Sequence, residues 1–134
     1  MARRVAAEGD ALVAGNLSNT WAYDPADHAS HARTRALLER QVALQMEEGV
    51  DFFIGETYTF LGEALIALEV ARASGLPVMI TMAFKSDPHS FEGDDAAECA
   101  RRVMAPVTIH QVIVGKMALM QRAGSHGAGR PGPG

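Results

Sequence analysis

Cysteine is nearly absent from this chain of 134 residues, which has one, Cys99. A single thiol excludes an internal disulfide and any zinc site assembled from several thiolates of this chain. Long apolar runs are missing too: none approaches the roughly 18 residues that cross a bilayer, and Met1 to Asp10 carries charges without an apolar signal-peptide segment. The expected location is therefore the cytoplasm, with no membrane partner. Positive charge is also scarce, 12 Lys plus Arg against 16 Asp plus Glu for a net charge of −4, so no global field favours a phosphate backbone and nucleic acid is not an expected partner. A phosphate-cradling glycine loop and a nucleophile elbow are both absent.

What remains is 48% hydrophobic and 21% charged residues with a mean hydropathy near zero, the profile of one ordinary soluble domain with one core. Charge is spread unevenly. Every acidic residue lies at or before Glu98, whereas Arg101, Arg102, Lys116, Arg122 and Arg130 follow it. Five charges over that length are thin for an interaction arm, and the stretch reads as a poorly ordered end.

Along the chain one unit recurs three times: a helical stretch closes at a glycine and a short apolar run follows. The copies run from Ala6 through Gly9 to Gly15, from Met46 through Gly49 to Gly55, and from Ala73 through Gly75 to Thr81. Each glycine stands where a helix needs a left-handed closing residue. Between them, His31 to Glu48 shows an apolar stripe of Leu37, Leu38, Val42 and Met46 with Leu44 beside it, and Leu61 to Ser74 shows Leu61, Leu65 and Leu68 with Ala64 and Ala71. Both spacings predict helices. Asp95 to Met104 predicts another, with Asp95 and Glu98 at capping-box spacing.

The runs Leu12 to Leu17, Phe52 to Glu56 and Val78 to Phe84 are nearly continuous in apolar residues, as in parallel strands covered on both faces. Strands alternating with helices imply right-handed crossovers, with consecutive strands adjacent and the helices on one face of the sheet. Units of about 25 to 40 residues have the scale of a (β/α)₈ barrel. The chain holds three to four of them, so the expected fold class is α/β, a partial (β/α)₈ TIM barrel that does not close. After Met104 the expected glycine is missing, Pro106 intervenes, and Val107 to Val114 forms a strand candidate of different character. We therefore divide the chain into 1–104, a divergent segment 105–122, and a Gly/Pro-rich tail 123–134 expected to be disordered.

Catalytic groups of α/β folds gather at the carboxyl ends of strands, which selects Asn16 to Tyr23, Glu56 to Tyr58 and Phe84 to Gly93. Glu56 stands out, because a carboxylate ending a strongly apolar strand is expensive to desolvate unless an ammonium, a guanidinium or several N–H donors meet it. The alternative is a structural carboxylate paired within the protein or hydrated at the rim. His28 and His31 have an i, i+3 spacing suited to a metal, yet no third ligand is apparent and both read as exposed residues near a helix start. Asp87 to Asp95 is acidic without calcium-loop periodicity and reads as a turn into a capped helix. Trp21 and Tyr23 are candidates to cover a ligand or to anchor their loop, and Cys99 reads as a small core residue.

Taken in order, the segments Val5 to Gly15, Val50 to Thr57, Glu63-Ala64, Ala73 to Val78 and Glu98-Cys99-Ala100 resemble the homocysteine S-methyltransferase family, particularly its betaine-using branch, from about Arg3 to Val103. The resemblance implies a (β/α)₈ barrel in which zinc held by three cysteines binds the homocysteine thiolate, whose sulfur then takes a methyl group from an onium-type donor. It makes residues 1–104 a partial homocysteine-binding domain and Glu56 the substrate-binding residue, gripping the amino-acid end of homocysteine. It also implies departures. The family's amino-terminal Asp-Gly-Gly segment has no counterpart, the sixth-strand region reads Val112-Ile113-Val114-Gly115-Lys116 where a zinc cysteine is expected, and Cys99 matches a helix cysteine, not a ligand. No zinc or other cofactor is therefore expected on this chain, no catalytic or metal residue is assigned, and the chain alone is expected to be inactive.

Three readings follow from these residues. The first is a central piece of a homocysteine S-methyltransferase, truncated or frame-shifted after Met104, with homocysteine and a methyl donor as the family's partners. The second is a non-catalytic half-barrel interaction module that associates with itself or a partner through exposed sheet edges. The third is a small open-sheet domain binding an amino acid at Glu56.

Overall fold

A computed structural model describes residues 2–84 and 88–105, and the backbone of 112–118. The order is α1 (Ala2–Ala6), β1 (Ala14–Ser18), α2 (His28–Glu47), β2 (Phe52–Tyr58), α3 (Leu61–Arg72), β3 (Val78–Phe84), α4 (Ala96–Met104) and β4 (Val112–Ala118). The strands form one sheet in the order β1-β2-β3-β4, every pair parallel. Consecutive strands are thus neighbours joined through helices. α2 packs on α3 and α3 on α4, so the crossover helices make a single layer on one face. The three expected strands lie where the apolar runs place them, with β1 shifted to Ala14–Ser18 and β2 extended to Tyr58. The strand expected at Val107 to Val114 is found at Val112–Ala118, and 106–111 lie outside the described residues, as does the tail 123–134.

Burial alternates along β1 and the first part of β3, which corrects the expectation of two covered faces there, whereas Met82, Ala83 and Phe84 at the end of β3 are all buried. In β1, Gly15 and Leu17 are buried while Ala14, Asn16 and Ser18 are exposed. Leu17, Phe53, Val78, Ile80 and Met82 meet Leu38 and Val42 of α2, Leu61, Ala64, Leu68 and Ala71 of α3, and Cys99 and Val103 of α4. Among the described residues no helix covers the opposite face, and its apolar strand residues Phe52, Ile54 and Met79 are only partly buried.

Two local expectations change in the structure. The buried stripe of α2 is Ser30, Thr34, Leu38 and Val42, a strict i+4 row, and Leu37, Leu44 and Met46 are exposed. Turning by about 100° per residue, the helix carries Leu37 off the face that Leu38 and Val42 define. In the repeated unit, Gly49 and Gly75 do adopt the left-handed conformation, with φ of 74° and 79°, but in the first copy Asp10 takes it at φ 54° and Gly9 does not. Aspartate tolerates this region because its short polar side chain bonds locally. α4 opens as its spacing predicts, with Asp95 Oδ1 accepting from Glu98 N at 2.7 Å.

Candidate functional site

The open face of the sheet is shaped by a bulge in β2. Pairing with β3 runs Gly55 to Ile80 and then Tyr58 to Met82, so β2 uses one more residue than its neighbour. Strict alternation from buried Phe53 and Gly55 would bury residue 57 and send Tyr58 to the open face. The extra residue instead returns Tyr58 to the core, fully buried, while leaving Glu56 exposed on the open face near the carboxyl end of β2. Thr57 carries the distortion at φ 56°, a conformation disfavoured for a β-branched residue.

Side chains from three neighbouring segments hold this distorted turn. Thr57 N donates to Thr81 Oγ1 of β3 at 2.9 Å, and the same hydroxyl donates to Gly55 O at 3.3 Å. Asn19, in the loop after β1, donates from Nδ2 to Thr57 O at 3.0 Å. Asn16 of β1 donates from Nδ2 to Glu56 Oε2 at 2.6 Å, and Gln45 of α2 ties the Asn16 carbonyl at 2.9 Å. No described arginine pairs with Glu56; Arg3 pairs with Asp51, Arg33 with Asp27, Arg35 with Glu69, Arg101 with Glu98 and Arg102 with Asp94.

A second layer of contacts secures the loop that follows β1. Glu63, only 2% exposed near the start of α3, accepts from both Thr20 N and Thr20 Oγ1 at 2.7 Å. Tyr23 donates its phenol to Glu92 Oε1 at 2.9 Å, and the other Glu92 oxygen accepts from Gly62 N at 2.9 Å. Burial and this bond to Glu92 push the Tyr23 phenol well above its ordinary value, so it remains a donor. Tyr23 also stacks on His31 at 4.8 Å and leans on Phe60, which meets Phe91 edge-on. A cleft of about 70 Å³ lies beside this cluster, lined by Asn19, Trp21, Tyr23, Thr59, Phe60 and Glu63.

Of the residues singled out by the sequence, Glu56 lies two residues before the end of β2, which runs on to Tyr58, and Asn16 and Asn19 of the Asn16 to Tyr23 segment lie beside it. Tyr23 anchors its loop, whereas Trp21 is 91% exposed. His28 and His31 meet edge to face at the start of α2. Asp87 lies outside the described residues; downstream, His89 bridges Asp95 and the turn leads into α4. The sequence reading did not identify Asn16 and Thr81 individually, or the anchoring roles of Glu63 and Glu92. Thr81 had one available signal, a hydroxyl inside an otherwise apolar strand.

No three His, Cys, Asp or Glu side chains gather to hold a metal among the described residues. Cys99 is buried in α4 with its sulfur 3.8 Å from the Asp94 carbonyl, and burial, reinforced by the charges of Asp94 and Asp95, pushes its thiol up. A protonated, enclosed thiol is a poor zinc ligand, because zinc binds the thiolate. The residues of this chain therefore do not fit the three-cysteine zinc site that the family resemblance implies.

The sequence profile of the homocysteine S-methyltransferase family matches residues 1–116. The chain belongs to that family. Betaine–homocysteine S-methyltransferase 1 of Mus musculus is 39% identical over 106 residues, covering 78% of this chain and 25% of the relative. S-methylmethionine–homocysteine S-methyltransferase BHMT2 of Pongo abelii is 37% identical over 106 residues, covering 78% and 28%. The chain thus spans about a quarter of the length of these curated relatives. Among solved structures, the apo form of the homocysteine methyltransferase MmuM from Escherichia coli superposes with a TM-score of 0.64 at 18% identity, over 86% of this chain and 43% of that one. That likeness supports the fold, a parallel sheet compatible with part of a barrel. Membership of this family does not favour the reading as an interaction module. Among the described residues, no helix is long and apolar enough to cross a membrane.

Proposed function

We propose that this chain carries the part of a homocysteine S-methyltransferase that grips the amino-acid end of homocysteine, with Glu56 accepting hydrogen bonds from the substrate ammonium. The observation that supports this most is the carboxylate itself: exposed on the helix-free face of the sheet, near a strand end, held on one oxygen by Asn16 and paired with no cationic side chain among those described. An ammonium is a natural complement to such a group. The names of the chain's relatives supply a substrate that has one.

In the reaction this reading assigns to the whole protein, the homocysteine thiolate attacks the methyl carbon of an onium-type donor. A sulfur–carbon bond forms as the donor's bond to that methyl breaks, and the leaving atom keeps the electron pair. Such a displacement requires no general acid at the methyl carbon and depends on in-line alignment. The contribution of this chain is to fix one end of the acceptor. Glu56 does so by its charge, and the Thr57 bulge by setting the direction in which that charge faces. Thiolate ligands for zinc would have to be residues other than Cys99.

The test is a two-dimensional NMR titration of the full chain with L-homocysteine under reducing conditions. Amide shifts should move at Asn16 and around Glu56 and Thr57, and Glu56→Gln should weaken binding about tenfold or more, the loss expected for a charge-assisted contact. Equal affinity in the two proteins would refute the assignment.

A further inference from the structure

Thr57 holds a left-handed conformation that a β-branched residue does not adopt unaided. Its neighbours supply the restraint, because Thr81 Oγ1 accepts from Thr57 N at 2.9 Å and donates to Gly55 O at 3.3 Å, bridging the two peptides that flank Glu56. One hydroxyl thus uses both its donor and its acceptor capacity on the bulge. From the other side, Asn16 holds Glu56 Oε2 at 2.6 Å, and Asn16 is itself tied through its carbonyl to Gln45. Among the described residues, no donor reaches the other carboxylate oxygen, Oε1.

We propose that Thr81 and Asn16 are positioning residues that act through Glu56, Thr81 by locking the bulge and Asn16 by turning the carboxylate so that Oε1 faces the ligand ammonium. This rests on the reading of Glu56 given above and adds to it the source of its orientation. A freely rotating glutamate on an exposed strand would have to be ordered at binding, and that loss of side-chain freedom would weaken its grip. Restraint from β1 and β3 orders it beforehand.

The experiment compares two ligands on the full chain by calorimetry: L-homocysteine, and 4-sulfanylbutanoate, which is the same molecule without the amino group. The unaltered chain should prefer L-homocysteine at least about tenfold, and Glu56→Gln should remove that preference. Thr81→Val, which keeps the shape and deletes the hydroxyl, should reduce the preference about fivefold or more while leaving 4-sulfanylbutanoate affinity within about twofold. Thr81→Ser should restore it, because the hydroxyl returns. Asn16→Ala, at an exposed position of β1, should reduce the preference independently of Thr81. A general loss of structure would weaken both ligands together and would not be rescued by serine. If Glu56→Gln removes the preference while Thr81→Val and Asn16→Ala both retain it, the positioning role is wrong and the Glu56 reading stands. If the unaltered chain shows no preference, or Glu56→Gln keeps it, the Glu56 reading fails and this inference with it.

Discussion

Replacing Glu63 by alanine should be among the more damaging single changes in this chain, although the residue lies on α3 and not on the open face of the sheet. Its side chain is nearly sealed from water, and one of its oxygens accepts from both the backbone N–H and the hydroxyl of Thr20 at 2.7 Å. Hydrogen bonds to a charged acceptor contribute about 1.5–3 kcal/mol each, and truncation also leaves the Thr20 groups in want of partners. Partial recovery through water entering the vacated space reduces the sum, so we expect Glu63→Ala to cost about 3 kcal/mol. Glu63→Gln keeps an oxygen able to accept from Thr20 and should cost about 1 kcal/mol. Urea unfolding followed by circular dichroism measures both, and the Glu63→Ala, Thr20→Val double-mutant cycle should return a coupling above about 1 kcal/mol. If Glu63→Ala costs less than about 1 kcal/mol, or the cycle shows no coupling, Glu63 does not anchor the loop after β1.

Three other outcomes follow from the same contacts. Gly62→Ala would drive a methyl carbon into the Tyr23 hydroxyl and set it 2.9 Å from Glu92 Oε1. It should therefore destabilise by about 2 kcal/mol in thermal unfolding, despite the better helix propensity of alanine. Thr34→Val should raise stability by about 1 kcal/mol in the same assay, because the buried Thr34 hydroxyl has no partner among the described residues and valine fills its space without a polar atom. The Asp51 carboxyl is held below its ordinary value of 3.8, first by the Val13 N–H and then by Arg3. A depressed folded-state value means the stabilisation is present above pH 3.8 and disappears as pH falls through the lower folded-state value. Denaturation midpoints should fall over that acid range in the natural chain and fall less in Asp51→Asn.

The α/β order and the parallel sheet, compatible with part of a barrel, were legible because apolar runs, amphipathic stripes and closing glycines all have local causes. Val78–Phe84 and the Asp95 cap needed nothing beyond their own residues. What resisted sequence reading depends on which face a residue occupies in three dimensions. Leu37, Leu44 and Met46 resemble core residues until the i+4 row of Ser30, Thr34, Leu38 and Val42 fixes the orientation of α2. The position of Glu56 was legible from the cost of a carboxylate at a strand end. Its supports were not, since Asn16 and Thr81 reach it only through strand pairing across separations of 40 and 25 residues. The bulge was equally hidden, because it exists only as a register difference between β2 and β3. Resemblance to the family implies a substrate-binding role for Glu56, while the physical reading names the kind of group, a cation or N–H donors, that would meet a carboxylate there.

The most direct test of the account is an experimental structure of the chain with L-homocysteine bound under reducing conditions. The amino nitrogen should lie about 2.7–3.1 Å from Glu56 Oε1, with Asn16 still on Oε2 and the sulfur directed over the helix-free face. A ligand whose ammonium is held by other groups, or a Glu56 turned away to a lysine or arginine of the protein, would contradict it.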